Sequence, residues 1–419
     1  MSSMRSFEKI KAVTFEKMLS FEKARRLVEE HAERVSPPEV ETIDLLAALG
    51  RVLAEDILAD RDFPPFPRAT RDGYAVRSAD LTKVPARLEV IAEIKAGETP
   101  EQSAVVVGHG QAASIMTGAP LPAGADAVVM VEYTSPTDHA VEVQRGVSAG
   151  ENFVPRGAEA LAGRLLLNSG QRLDHAGIAI AASVGKSHVK VFRKPRVAVL
   201  STGDELVGID ATPGPVQIRN SNSYSLAAQI QNAGGEAVIL PVAPDERGRL
   251  RPLIEEGLQF DLLLLAGGVS MGKYDLVEQV LAELQAEFYF TGAEIQPGRP
   301  AVFGSCAARY FFGLPGNPVS TMVTFELFAR PMIEALAGMA SRPLIFLRAR
   351  LKSEIRTKTG LKRFLPATLS GEFENAEVEL MPWQGSGDIS ALARANCYIV
   401  IPPERERIEV GEWVPLLLR

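Results

Sequence analysis

The sequence predicts a multidomain fold that combines α/β and β regions. Its 419 residues exceed what one hydrophobic core usually organises, and length alone suggests about three domains. From Arg196 onward, strand patterns alternate with helix patterns, which is typical of a doubly wound, mostly parallel sheet. Two other stretches, residues 87–152 and the residues after Ser341, contain short β runs separated by turns. We therefore expect one α/β region and two β-rich regions.

Composition indicates a folded protein without general affinity for polyanions. Hydrophobic residues make up 46% of the chain and charged residues 23%, both ordinary for globular proteins. The formal net charge of −7 argues against nucleic acid and anionic membranes as partners. No apolar run approaches the roughly 18 residues of a membrane span, and the N-terminal residues lack the features of a signal peptide. We expect a cytoplasmic location.

The cysteines and histidines do not suggest a transition-metal centre. Cys306 and Cys397 are isolated in sequence and are expected to be buried, reduced thiols. The five histidines lack the i, i+4 spacing of a metal-binding helix. Most of the chemistry is therefore expected from carboxylates and backbone amides.

The first half of the chain is predicted to mix helices with short strands. Apolar residues recur at helical spacing over residues 20–35, which predicts an amphipathic helix, and a second short helix is predicted over residues 44–49. Prolines in FPPFPRATRDGYAV favour an ordered loop. Residues 153–192 return to a mixed pattern and are expected to pair with the N-terminal helices. The intervening β runs are LEVIAEI, AVVVG, AVVMVEY and VEVQRG.

The second half is predicted to hold the α/β region and then a small β domain. Strands and helices alternate in the order RVAVLST, SYSLAAQIQNAGG, EAVILPV, ERGRLRPLIEEGL and DLLLLAGG. Ligands of such sheets bind outside the carboxyl ends of the strands, where STGDEL, PVAPDE and AGGVSMGKYD lie. Asn317 is predicted as an N-cap, with Pro318 at the first helical position. After Ser341, five β runs predict a closed or sandwiched β domain.

A glycine-rich turn follows the apolar run LLLLA and predicts an anion site. Gly267 and Gly268 permit backbone angles that other residues avoid, and amides at the start of the next helix suit a phosphate. Gly272 and Lys273 continue the spacing of a Walker A loop, but Tyr274 stands where that loop has its Mg²⁺-binding Ser or Thr. The turn is therefore expected to bind a phosphate without being an ordinary P-loop.

Taken together, the motifs resemble the molybdopterin molybdenumtransferases of the bacterial MoeA type, whose relatives include the C-terminal domain of gephyrin. The resemblance covers almost the whole chain, and the motifs occur in the family's order. They are RATRDGYAVRSADL, IMTGAPLPAGADAVVMVE, VLSTGDEL, RNSNSYSLAAQIQNAGGEA, APDERGRL, AGGVSMGKYD, PGRPAVFG, GLPGNPVST and WQGSGDISALARANCYIVIP.

The resemblance implies an elongated homodimer with four domains per chain and an active site formed across the dimer interface. The implied reaction is the last step of molybdenum cofactor assembly, in which molybdate enters adenylylated molybdopterin and AMP is released with the help of Mg²⁺. The sequence leaves molybdate and tungstate both open. The expected domains are a discontinuous mixed α/β domain of residues 1–60 and 153–193, a small β-rich domain of residues 61–152, a molybdopterin-binding α/β domain of residues 194–342, and a β domain of residues 343–419.

The resemblance also implies roles for individual residues. Asp72, Thr117, Glu205, Asp245 and Asp275 are implied as catalytic, and the last three of these as ligands of Mg²⁺. From the residues alone, Asp72 fits a turn cap and Thr117 a packed turn equally well. The implied ligand-binding residues are Thr202, Gly203, Gly267, Gly268, Ser270, Gly272, Arg299, Pro315, Pro318 and Ser386.

Molybdate is a tetrahedral dianion and needs hydrogen-bond donors and cationic side chains. Arg299 is the first candidate, with Lys362, Arg363 and Ser386 as second choices, while most of the run from Lys352 to Arg363 is expected to be a solvated basic face. The chain departs from the family here. The family's KPGKP is QPGRP in this chain, so that Gln296 replaces one lysine and Arg299 the other, and RGAEA offers only Glu159 in place of the acidic residue of the family's GED segment.

Two functions other than molybdenum transfer are alternatives for this sequence. A molybdopterin adenylyltransferase shares the α/β domain, but it would leave more than half of this chain unexplained. A non-catalytic scaffold like gephyrin is disfavoured because the sequence begins directly at the transferase-like part. The upstream adenylyltransferase is instead expected as a partner that hands over the adenylylated ligand.

Overall fold

The structure, a computed structural model, describes residues 18–98, 105–268 and 276–419. These residues divide into two units. The first unit contains the described residues up to Ala54, together with Gly170–Asp174 and His188–Arg419. The second contains the described residues of Glu55–Ser169 and His175–Ser187. The predicted α/β region and the predicted C-terminal β domain both lie in the first unit.

Helices in the described residues are mostly short. We number the α-helices in chain order. They are α1 Phe21–Ala32, α2 His175–Ser183, α3 Asn222–Asn232, α4 Arg247–Gly257, α5 Leu276–Glu283, α6 Pro318–Thr324, α7 Arg330–Leu336 and α8 Ile389–Arg394. A π-helical segment, Phe325–Ala329, joins α6 to α7. In the part of the chain that the structure describes, no helix has the length and apolar character that crossing a bilayer requires.

The second unit is built on a six-stranded mixed sheet. Its strands lie in the order Ala127–Met130, Gly73–Val76, Gln111–Ile115, Ala86–Ile94, Ala140–Val143 and Thr134–Thr137. Side chains alternate between the two faces, so that Ala75 and Val128 belong to one buried cluster and Val76 and Val129 to the other. Each face therefore has its own small apolar core. Short paired strands complete this unit, Ile57–Leu58 with Leu165–Leu167 and Arg68–Ala69 with Phe153–Val154.

The first unit contains the α/β region predicted from the sequence. Its sheet has the order Glu236–Ile239, Arg196–Ser201, Leu262–Ala266, Arg309–Leu314, Val302–Cys306 and Glu287–Phe290. Neighbouring pairs among the first four strands are parallel, and Val302–Cys306 runs antiparallel to both of its neighbours, Arg309–Leu314 and Glu287–Phe290. Both faces are buried, which explains why the central strand Leu262–Ala266 is apolar at every position. The prediction of a mostly parallel, doubly wound sheet is confirmed.

The C-terminal β runs form a closed barrel. Its strands follow the order Lys362–Ser370, Glu377–Leu380, Phe346–Leu351, Trp413–Leu418 and Cys397–Ile401, and the last pairs with the first. Closure leaves no free edge within the ring and buries an apolar interior. A short strand of the α/β region, Ile295–Gln296, adds to the barrel beside Lys362 and Arg363.

The remaining short strands connect these regions within the first unit. Val40–Asp44 pairs antiparallel with His188–Phe192, so residues far apart in sequence lie together. The other short pairs are Met18–Leu19 with Gly292–Ala293, Leu206–Val207 with Ile218–Arg219, and Ile355–Arg356 with Arg407–Ile408.

Both cysteines are free and buried, as predicted, and burial raises the pKa of the Cys397 thiol to about 11.

Three local predictions were wrong. Residues 44–49 do not form an α-helix, because Asp44 ends a strand and only Leu46–Ala48 make a 3₁₀ turn. The segment FPPFPRATRDGYAV is not entirely loop, since Gly73–Val76 is an inner strand of the second unit's sheet. In the run AVVVG, residues 105–108 form no strand and contribute a single bridge from Val106. In the first two cases pairing with distant residues overrode local propensity, and in the third the described residues pair only at that single bridge.

His31, near the end of α1, lies in an aromatic cage and is buried. Its ring stacks on Tyr289 with centroids 4.0 Å apart, and Nδ1 lies 3.3 Å from the Tyr310 hydroxyl. Burial lowers the pKa of His31, and the nearby charge of Arg34 lowers it further, against the opposing effect of Glu287 and Glu30. The folded protein therefore favours the neutral ring.

This cage predicts a loss of stability in mild acid. The pKa of His31 is lower in the folded than in the unfolded chain. The stability that the neutral His31 ring contributes is therefore complete above the ordinary pKa of 6.5, and it falls as the pH drops towards the pKa of the folded state. We expect the melting temperature of His31→Phe to fall less than that of the wild type between about pH 7.5 and pH 5.5. Equal falls in the two proteins would contradict this assignment. Scanning calorimetry at both pH values measures it.

Candidate active site

A cavity of about 830 Å³ opens at the carboxyl ends of the parallel strands in the first unit. The register of the sheet brings its walls together, because Ser201 pairs with Ala266 and Ala266 with Leu314, so that three strands end at one level. Backbone hydrogen bonds then continue into the loops. The Thr202 amide donates to the Ala266 carbonyl at 3.1 Å, and the Gly267 amide donates to the Leu314 carbonyl at 3.1 Å.

The glycine turn is shaped as a cradle, as far as the structure describes it. Gly267 and Gly268 both have positive φ, at 90° and 64°. A Cβ on Gly268 would lie 2.7 Å from the Thr202 hydroxyl, so the close approach of the two loops also requires glycine. That hydroxyl is buried and has no hydrogen-bond partner among the residues that the structure describes. An unpaired donor beside a glycine turn suits an anionic ligand. Ser270, Gly272, Lys273, Tyr274 and Asp275 lie outside the described residues.

Two of the three predicted metal ligands share this cavity. Glu205 and Asp245 both line it, and the Glu205 carboxylate lies over Gly203, where a side chain would displace it. The Asp245 amide donates to the Asp204 carboxylate at 3.1 Å. Burial raises the pKa of Asp245, and the charges of Asp204 and Glu205 raise it further. No group of three or more His, Cys, Asp or Glu poised to hold a metal occurs within residues 18–98, 105–268 and 276–419.

The residues at the start of α3 also line the cavity, and they were not predicted from the sequence. Asn220 is buried and ties this helix to the sheet, since its side-chain Oδ1 accepts a hydrogen bond from the Ser201 hydroxyl at 3.2 Å and another from the Ser223 amide. Asn222 Nδ2 donates to the Gly316 carbonyl at 2.7 Å and so links α3 to the PGNP turn. The N-cap pattern of RNSNS was the available signal.

Arg219 is a cation that the sequence reasoning also missed. Among the described residues that line the cavity, it is the sole positively charged one. Its Nε donates to the carbonyls of Ile209 and Ala211, at 2.9 Å and 3.1 Å, which holds the neighbouring loop. A guanidinium at the mouth of this cavity partly offsets the carboxylates and suits a ligand that carries phosphate.

The PGNP turn forms a further wall. Pro315 and Pro318 both line the cavity, as predicted, and Asn317 occupies the N-cap position of α6. The Asn317 side chain makes no capping hydrogen bond. Its Nδ2 instead donates to the Ser386 hydroxyl at 2.9 Å. Ser386, on the loop before α8, is thereby placed at the rim of the cavity.

The predicted cationic candidates lie in different settings. Arg299 is exposed and does not line the cavity, whereas its neighbour Pro300 does. Lys362 forms an ion pair with Glu22. Arg363 is buried, its Nη1 donates to the Leu361 carbonyl at 3.0 Å, and burial lowers its pKa. Arg363 is therefore not part of a solvated basic face.

Asp72 and Thr117 belong to the second unit and contact each other. The Thr117 amide donates to the Asp72 carboxylate at 2.6 Å, and this bond, with a second one from the Thr117 side chain, lowers the pKa of Asp72. The Asp72 carbonyl also accepts from the Val131 amide at 3.0 Å. Asp72 thus holds the turn at Thr117 in the way a turn cap does.

In the same unit, the Glu159 carboxylate forms an ion pair with Arg68, at 3.0 Å.

Comparison with known proteins places these regions in one family. Residues 19–185 match the MoeA N-terminal region (domain I and II), residues 198–335 match a probable molybdopterin binding domain, and residues 348–418 match the MoeA C-terminal region (domain IV). The described residues that line the cavity all lie in the second of these segments, and Ser386 of the third is hydrogen-bonded to one of them, Asn317.

Full-length relatives agree with these matches. The chain is 36% identical over 397 residues to a molybdopterin molybdenumtransferase of Nostoc sp., covering 91% of this chain and 89% of the relative. It is 31% identical over 382 residues to the enzyme of the same name from Staphylococcus aureus strain MRSA252, covering 90% of each. A crystal structure of the molybdopterin biosynthesis MoeA protein from Pyrococcus horikoshii OT3 superposes with a TM-score of 0.77 at 29% identity, covering 96% of this chain and all of that one. This chain therefore belongs to the molybdopterin molybdenumtransferase family.

Proposed function

We propose that this protein inserts molybdate into adenylylated molybdopterin and releases AMP, which completes the molybdenum cofactor. The observation that carries the proposal is the cavity at the strand ends, where a glycine turn, two carboxylates and an arginine meet. It lies in the segment that matches a molybdopterin binding domain. The chain's membership of the transferase family supports the same reaction.

The phosphate end of the ligand is assigned to the glycine cradle. Gly267 and Gly268 allow the ligand to approach the backbone closely, and the buried Thr202 hydroxyl supplies a donor that has no partner within residues 18–98, 105–268 and 276–419. Arg219 adds a positive charge at the same cavity. By the family resemblance, Gly203, Ser270 and Gly272 belong to the same binding surface.

Mg²⁺ is assigned to Glu205 and Asp245, with Asp275 as a third ligand by family resemblance. The described residues fit a divalent cation, because Glu205 and Asp245 line one cavity, and burial together with the charges of Asp204 and Glu205 raises the pKa of Asp245. Oxygen ligands of this kind suit Mg²⁺, which when bound neutralises negative charge on phosphate oxygens. Asp204 contributes by holding the Asp245 backbone in place.

Molybdate is assigned to the rim of the cavity. Ser386 and the PGNP turn lie there together, with Pro315 and Pro318 shaping the wall. Arg299 directly precedes Pro300, which lines the cavity, and its exposed side chain supplies positive charge. Lys362 and Arg363 are less suited, since one is already paired and the other is buried.

The homodimer, the cytoplasmic location and the upstream adenylyltransferase as a partner are also proposals. Asp72 and Thr117 lie on the second unit, and the family resemblance assigns them to an active site shared between two subunits. As an alternative function, adenylyl transfer to molybdopterin would use the same central fold. The matches to both flanking family regions favour the molybdenum transfer reaction over this alternative and over a scaffold.

One reaction separates these functions. Purified protein is incubated with adenylylated molybdopterin, molybdate and Mg²⁺, and AMP is measured by chromatography. We expect AMP release that depends on molybdate. AMP at the level of the molybdate-free control would contradict the proposal, while pyrophosphate release from ATP and molybdopterin would instead indicate the adenylyltransferase.

A further inference from the structure

Asn317 has an unusual use of its side chain. It occupies the N-cap position of α6 with φ −68° and ψ 124°, where an asparagine oxygen commonly accepts a hydrogen bond from an amide of the first helical turn. Here it makes no such bond. The amide Nδ2 instead donates to Ser386 Oγ, 69 positions further along the chain, at 2.9 Å. The Asn317 side chain therefore bonds to Ser386 and does not cap α6.

This bond sets the polarity of the Ser386 hydroxyl. A serine hydroxyl has one hydrogen to donate and two lone pairs to accept with. The Asn317 amide can only donate, so it occupies a lone pair and leaves the hydroxyl hydrogen free. Among the described residues, Ser386 Oγ has no acceptor for that hydrogen. The hydrogen is therefore available to an acceptor at the cavity rim.

Main-chain bonds hold the same loop independently of Asn317. The Val319 amide donates to the Ser386 carbonyl at 2.9 Å, and the Asp388 amide donates to the Gly385 carbonyl at 3.0 Å. On the other side, Asn222 fixes the Gly316 carbonyl. The backbone on both sides of the Asn317–Ser386 bond is thus already placed, and the bond itself controls the direction of the hydroxyl.

We propose that Asn317 is a positioning residue that fixes the Ser386 hydroxyl as a hydrogen-bond donor to molybdate. The inference rests on the proposed function for the identity of the ligand. A tetrahedral oxyanion presents only acceptor oxygens, so a hydroxyl turned to donate is the polarity it needs. Asn317 acts through Ser386 and does not itself touch the oxyanion.

A double-mutant cycle tests this assignment by direct binding. Wild type, Asn317→Ala, Ser386→Ala and the double variant are titrated with molybdate by calorimetry. We expect Asn317→Ala to weaken molybdate binding about 5-fold to 10-fold, the value of one hydrogen bond, but less than about 2-fold when Ser386 is already alanine. The melting temperature should stay within roughly 1 °C of wild type, since no cap is lost.

Asn317→Asp provides a matched variant of opposite polarity. Its carboxylate is nearly the same size but accepts the Ser386 hydrogen, so the hydroxyl is turned away from the ligand. We expect Asn317→Asp to weaken molybdate binding more than Asn317→Ala does, with a larger effect in the Ser386 background than in the Ser386→Ala background. The KM for adenylylated molybdopterin should change less than the KM for molybdate in both variants.

Each result decides the inference. Equal losses in the two backgrounds would show that Asn317 does not act through Ser386, and an absence of molybdate binding to wild type would overturn the assignment. A large fall in melting temperature for Asn317→Ala would show a structural role instead. Failure of the proposed function is distinguishable, because molybdate would then bind with the expected coupling but without AMP release.

Discussion

Glu205→Gln is expected to lower turnover by roughly 100-fold or more without lowering the melting temperature. Glutamine keeps the size of the side chain but removes one of the two described carboxylates that line the cavity. Under the proposed assignment, Mg²⁺ would then have one carboxylate ligand fewer, and the phosphate oxygens of the bound ligand would lose part of their neutralising charge. Activity should fall for this electrostatic reason alone.

Stability should move in the opposite direction. The Glu205 charge contributes to the raised pKa of Asp245, so the two carboxylates repel each other in the protein without metal. Removing one charge relieves that repulsion, and the melting temperature of Glu205→Gln should equal or exceed that of wild type. Mg²⁺ should raise the melting temperature of wild type more than that of the variant, since a ligand that binds the folded state more tightly stabilises it more.

Steady-state AMP release and thermal melts with and without Mg²⁺ measure both effects. Asp210→Asn is the matched control, because Asp210 is exposed on the loop that follows and does not line the cavity. Its turnover and its response to Mg²⁺ should match wild type. A Glu205→Gln protein that is inactive and also unstable would mean that Glu205 supports the fold and not the cation.

Arg25→Met is expected to cost about 3 kcal/mol of stability, the largest structural effect we predict. Arg25 is 7% exposed, and its Nη1 donates to the Leu327 carbonyl at 2.7 Å. Pro331, four residues after Leu327, has no amide hydrogen to give that carbonyl. Arg25 therefore supplies the hydrogen bond that the proline cannot, at the π-helical segment between α6 and α7.

The same substitution also removes an ion pair. Arg25 Nε lies 2.6 Å from the Glu29 carboxylate on the next turn of α1, so the methionine leaves both an acid and a buried carbonyl without their partner. The melting temperature should fall by roughly 5 °C. Arg26→Met is the control, because Arg26 is the exposed neighbour on the same helix and should be nearly neutral. Equal melting temperatures for the two variants would contradict the proposed role of Arg25.

Much of the site was predictable because its parts are local. The strand Leu262–Ala266 and the glycines after it are contiguous, so their pattern predicts a turn at a strand end. The acidic loops follow other strands of the same sheet, and parallel strands bring their carboxyl ends to one edge. Glu205 and Asp245 could therefore be placed together before the structure was known.

Other features were not predictable because side-chain partners come from distant segments. The sequence indicates that Asn317 starts a helix, but not that its amide turns to Ser386. It shows Lys362 and Arg363 as neighbours in a basic run, but not that one pairs with Glu22 while the other is buried. The short strands Val40–Asp44 and Gly73–Val76 likewise depend on partners elsewhere in the chain.

The sequence by itself determined the α/β region, its order of strands and helices along the chain, and the edge of the sheet at which the candidate site lies. These follow from hydrophobic periodicity and from the geometry of parallel strands, both of which are local or general rules. Only the tertiary structure decided which donors meet which acceptors. Arg25 and Leu327 are 302 positions apart, and a hydrogen bond of 2.7 Å between them depends on the packing of α1 against the π-helical segment. No local pattern encodes such a distance, because it results from the sum of all the contacts between those elements.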